Sequence, residues 1–102
     1  MTKQEKAYVS YFKKQLPLKK FRNLFPFDDE MFDSEMYSDF ILSRMIEAQE
    51  NGENTFINMA DVEELYYELE NSQFDDTLFQ KSMEYVRSLN IMDYKTFCDA
   101  NK

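Results

Sequence analysis

Residues Ser34 to Ala48 would leave a helix almost no wet face, and that limits what can be packed around them. At about 100° per residue, Met36, Phe40, Tyr37, Ala48, Ile41, Met45, Leu42 and Ile46 follow one another around roughly 280° of the circumference. A helix lying on a protein surface needs a stripe of only about 100°. Such a helix has to be enclosed by others, so 34–50 is read as the central element. Asp33, Ser34 and Glu35 put acceptors and negative charge at its start, where the helix dipole is positive, and Asn51-Gly52 offers a left-handed residue at its end.

Its neighbours are expected to be helices as well. One glycine and two prolines in 102 residues are too few turn residues for a sandwich or barrel of many short strands. Ten Phe and seven Tyr can build a core without disulfides, and Cys98, the only cysteine, cannot form one within the chain. The expectation is a single all-α domain over residues 1–102, a bundle of about five helices at 3–16, 34–50, 59–71, 77–90 and 93–99. No leader-like apolar stretch opens the sequence, and the central run Phe40-Ile41-Leu42 is far short of the roughly 20 residues that span a bilayer. A cytoplasmic protein with no membrane insertion is expected.

Thr2 and Glu5 have the spacing of a capping box. The helix that follows would bury Ala7, Tyr8, Val9, Tyr11, Phe12 and Leu16 and turn Lys3, Lys6, Lys13 and Lys14 outward, until Pro17 stops or kinks it. Lys19, Lys20 and Arg22 extend the positive charge beyond that point. A short helical turn is expected before Pro26, then a loop held to the core by Phe25, Phe27 and Phe32. The acids from Asp28 through Asp39 lack both the alternating spacing and the glycine of a calcium loop. Arg44 falls inside the apolar arc of the central helix, so it must reach solvent or hold a carboxylate.

Thr55, Phe56 and Ile57 could be extended, although no second strand candidate exists to pair with them. Asn58 can cap the next helix, where Val62, Leu65, Tyr66 and Leu69 make one buried stripe. Asp75 or Asp76 can cap the helix after that, with Leu78, Phe79, Met83, Tyr85, Val86 and Leu89 inward and Asn90 closing it. Asp93 would cap a last helix carrying Tyr94, Phe97 and Cys98.

Chemistry is scarce in this chain. With no histidine and one cysteine, imidazole-based triads and zinc sites of nitrogen and sulfur ligands cannot be assembled within it. No catalytic residue, cofactor or metal site is expected, and the chain is read as a non-enzyme. Charge is more informative. The net value is −8, yet residues 1–22 hold seven basic residues and one acid, giving +6 and leaving −14 for residues 23–102.

The acidic part is densest from Asp61 to Glu70, where Asp61, Glu63, Glu64, Glu68 and Glu70 are placed on the exposed side with Tyr67 among them. At about 1.5 Å per residue they carry one charge per roughly 3 Å of axis, close to the roughly 3.4 Å per charge of one DNA strand. A tyrosine in such a setting can anchor an interface. The leading expectation is therefore a small acidic regulator or inhibitor that binds a basic protein, including one whose basic site ordinarily holds nucleic acid. Direct nucleic-acid binding is disfavoured by the net charge. The alternatives are an accessory module that meets nucleic acid through Lys3, Lys6, Lys13, Lys14, Lys19, Lys20 and Arg22, and a structural subunit with an apolar binding face.

Overall fold

The computed structural model describes residues 1–27, 30–52, 57–71 and 73–101. Helix α1 covers Lys3–Gln15 and starts as its spacing predicts: the Thr2 N–H donates to the Glu5 carboxylate at 2.7 Å, and the Glu5 N–H donates to Thr2 Oγ1 at 3.1 Å. These bonds hold Glu5 below the usual carboxylate range. Tyr8, Val9 and Phe12 are buried, as is Leu16 beyond the helix end, while Ala7 is exposed and Tyr11 only half-buried. Pro17 ends α1 and also starts a helix that the sequence reading did not delimit, α2, Leu18–Leu24. Proline lacks only the N–H that a first turn leaves unbonded anyway. Lys19, Lys20 and Arg22 therefore ride on a helix and not on a tail.

Phe21 of α2 is the hub of an aromatic core. Its ring lies 5.0 Å from Phe25, 5.9 Å from Phe27, 5.6 Å from Phe32, 4.9 Å from Tyr37 and 5.7 Å from Phe40. The aromatics around Pro26 do hold that connection to the core, whereas Asp28 and Asp29 lie outside the described residues.

The central helix, α3, is one continuous rod with a change of winding. Ser34–Phe40 is α-helical behind an Asp33 cap on the Met36 N–H, Ile41–Glu47 is wound as a π-helix, and Ala48–Glu50 returns to α. In i→i+5 winding, Phe40 and Met45, and likewise Ile41 and Ile46, come to lie one above the other. All four are buried, whereas Met36, Leu42 and Ala48 are half-buried. Burial thus covers less of the helix than its apolar arc suggests. Gly52, at φ +82°, follows its end.

Helix α4, Met59–Glu68, starts at an Asn58 cap on the Asp61 N–H and stops earlier than the expected 59–71. Glu70 takes φ +60°, its N–H donates to the Tyr67 carbonyl, and the Asn71 N–H donates to the Tyr66 carbonyl at 2.8 Å. That is a Schellman close, with a glutamate where glycine is usual. Helix α5, Asp76–Ser88, is capped by Asp75 and closed by Asn90 at φ +53°. Its Ser82 hydroxyl donates to the Leu24 carbonyl at 2.7 Å, tying it to α2. Tyr85, expected inward, is exposed beneath Lys20, whose ammonium sits 4.8 Å from the ring centre.

Helix α6, Tyr94–Ala100, is capped by Asp93 and leans on α1 through Tyr8–Tyr94, Tyr8–Phe97 and Tyr11–Phe97 ring contacts at 5.5, 5.4 and 5.0 Å. Cys98 is half-buried.

The described residues form an all-α fold of six helices with no strand among them. The radius of gyration, 13.3 Å, is that of a compact chain of this length. Residues 53–56, with the stretch that could be extended, lie outside the described residues except for Ile57, which is buried. No helix among the described residues is long and apolar enough to cross a membrane.

Candidate interaction face

Helix α4 turns Val62, Leu65 and Tyr66 into the core, and Tyr66 adds a hydrogen bond from its hydroxyl to the Pro26 carbonyl at 3.1 Å. With that stripe fixed, the helical period leaves the remaining positions facing α3 or solvent. Tyr67 is 67% exposed, and its hydroxyl makes only a long 3.4 Å hydrogen bond to Glu63. Glu64 and Glu68 are exposed and Glu63 half-buried.

Two of the predicted acids are placed differently. Asp61, expected on the wet side, is buried, with Arg44 Nε 3.4 Å from its carboxylate. Glu70 lies past the helix end in the closing turn. The even run of five acids along one helix is therefore not what this face presents. Glu63, Glu64 and Glu68 project from α4 itself, and Asp61 is matched by a guanidinium.

Arg44 also donates to the Glu64 carboxylate at 3.0 Å. Arg44 lies in the π-wound part of α3, and these two carboxylates of α4 answer its charge within the apolar arc. Between α3 and α4 runs an open groove of about 270 Å³. Met36, Phe40 and Leu65 line it with apolar surface, and Asp39 and Glu68 add carboxylates to those around Arg44. The α4 pattern alone could not identify Asp39, because it belongs to another helix. The available signal was the polar pair Asp39 and Ser43, four residues apart and hence on one side of the central helix, next to Arg44 in sequence.

The basic residues of α1 and α2 differ in their surroundings. Lys3, Lys6, Lys14 and Lys19 are exposed, and among the described residues none of them forms an ion pair. Lys13 is half-buried and donates to the hydroxyls of Ser34 and Ser38, bracing α1 against α3. Lys20 is taken up by Tyr85, and Arg22 is half-buried.

A crevice of about 460 Å³ opens at another place, among Thr2, Lys3, Glu5, Glu50 and Tyr94. Burial and contact with Cys98 push Tyr94 up to about 12. Glu5 is committed to the α1 cap there, so the crevice does not gather free acids. No group of three or more potential metal ligands occurs among the described residues. No protein-family model, curated protein or solved structure matches the chain.

Proposed function

We propose that this chain is a small non-enzymatic regulator or inhibitor that binds a basic protein through the outer face of α4, occupying a surface that otherwise holds nucleic acid. The observation carrying the reading is Tyr67, an aromatic side chain 67% exposed and flanked in sequence and space by Glu63, Glu64 and Glu68. A ring left in water beside carboxylates combines the two parts an interface of this kind uses: desolvation of the ring slows dissociation, and the acids steer a basic partner into place. The absence of histidine and the single cysteine favour binding over catalysis. A cytoplasmic location is part of the same proposal.

The immobilised protein, exposed to nuclease-treated cell extract, should retain proteins that added double-stranded DNA or heparin releases. A Glu63→Lys, Glu68→Lys variant should retain far less of them, and Tyr67→Ala should release them faster. Captured proteins that ignore competing DNA and bind the charge-reversed variant equally well would overturn the reading. Retention of the isolated protein on DNA itself would instead favour the basic face of α1 and α2.

A further inference from the structure

Among the described residues Tyr67 and Tyr85 are the two aromatic side chains left exposed, at 67% and 36%, and they stand among charges of opposite sign. On α4, Glu63 sits one turn before Tyr67 and Glu68 directly after it. On α5, Lys81 sits one turn before Tyr85, and Lys20 of α2 lies over the ring with its ammonium 4.8 Å from the centre. We infer that these are the two halves of one interface, by which α4 of one copy docks on the α2–α5 edge of a second copy of this chain.

Lys20 and Lys81 are exposed and, among the described residues, form no ion pair. A cation–π contact leaves the Lys20 ammonium charged and open to a carboxylate. Glu68 is exposed without an ion pair in the same way, and Glu63 holds only the long bond to the Tyr67 hydroxyl. Docking sets Glu63 and Glu68 against Lys20 and Lys81 and buries the two rings together, so that charge pairing and ring desolvation act at one place. Because the patches differ, each contact joins unlike surfaces of two copies. A copy seated on α4 closes that face to any other occupant. The inference takes α4 as a binding face without needing the basic partner proposed above.

Each copy carries −8, which opposes approach at long range. At about 0.15 M salt the screening length is about 8 Å, short against bodies 25 Å across but long against touching ion pairs. The association is therefore weak and best seen near that ionic strength.

Sedimentation velocity of the full chain in about 0.15 M NaCl should show the mean mass rising with concentration above the 12.4 kDa of one copy. Glu63→Lys with Glu68→Lys and, separately, Lys20→Glu with Lys81→Glu should each raise the dissociation constant at least about tenfold. Mixing these two variants puts opposite signs back on both sides of each contact, so the mixture should associate within about threefold of the parent. Lys3→Glu with Lys6→Glu, exposed on α1 and equal in charge change, should raise the constant less than about threefold. A chain that stays at the mass of one copy up to about 1 mM, equal losses from the two lysine pairs, or a mixture no tighter than its components would overturn the inference. Recovery on mixing requires folded variants, so a loss caused by unfolding cannot pass for support. None of these results decides whether α4 also captures a basic protein, which the DNA-competition experiment reads.

Discussion

Asp61 and Glu64 bond the same guanidinium from very different surroundings. The Asp61 side chain is 11% exposed and that of Glu64 67%, with Arg44 between them at 39%. Water already serves Glu64 and screens its pair, so Glu64→Gln should change stability by only about 0.5 kcal/mol. Asp61→Ala removes the sheltered acceptor and leaves part of a charged group poorly bonded, which should cost about 1–3 kcal/mol. Urea unfolding with unchanged m-values measures both, and equal losses would mean that the burial of Asp61 has no energetic weight. Arg44's need for a carboxylate was legible, because a charge in an apolar arc has to be answered. Which acid answers was not, since Asp61 and its exposed neighbours look alike along α4 until α3 is laid beside them.

Elements here are tied together by tyrosines whose partners lie far away in sequence. The Tyr37 hydroxyl of α3 donates to the Leu16 carbonyl at 2.6 Å, closing the end of α1, and the Tyr8 hydroxyl of α1 donates to the Met92 carbonyl at 2.8 Å, just before α6. Tyr11 accepts from the Met92 N–H at 2.9 Å. Burial raises both Tyr8 and Tyr37 well above the usual phenol value, so the folded state keeps protons that the unfolded state releases above about pH 10. Stability is therefore full below about pH 10 and falls as pH rises beyond it, by about 1 kcal/mol per pH unit for each such phenol.

Thermal unfolding between about pH 8 and 11 should show this slope, and Tyr37→Phe should flatten it while lowering stability at neutral pH. An unchanged slope would mean that the phenol is not held neutral by the fold. The helices themselves were readable because apolar period and capping residues are local: Thr2, Asn58 and Asp93 cap as their positions suggest, while the structure selects Asp33 from the polar group at 33–35 and Asp75 over Asp76. Helix α2 was harder to see. Its seven residues bury only Phe21, too little to make a periodic stripe. The π winding of Ile41–Glu47 left no mark in the apolar pattern either.

On the scale of the whole molecule, charge is divided unevenly along the chain. The +6 of residues 1–22 and the −14 of residues 23–102 share a body of 42 × 25 × 24 Å, yet Lys3, Lys6, Lys14 and Lys19 form no ion pair among the described residues. If the lysines served mainly to neutralise the acids, salt would weaken that attraction and lower stability. With net charge −8 on the whole chain, repulsion among the acids should be the larger effect, and salt should relieve it as the screening length shrinks from about 30 Å at 0.01 M to about 10 Å at 0.1 M. The melting temperature should then rise by about 2–5 °C from low salt to about 0.3 M NaCl, the shift expected for somewhat under 1 kcal/mol in a domain of this size. A complex with a basic partner should respond in the opposite direction, associating more slowly over the same range because screening removes the steering. Opposite signs for fold and complex are what an acidic surface kept for a partner predicts. A melting temperature that falls with salt would show instead that attraction between the two ends helps hold the fold together, leaving the acids with a structural use and the partner with less unbalanced charge to meet.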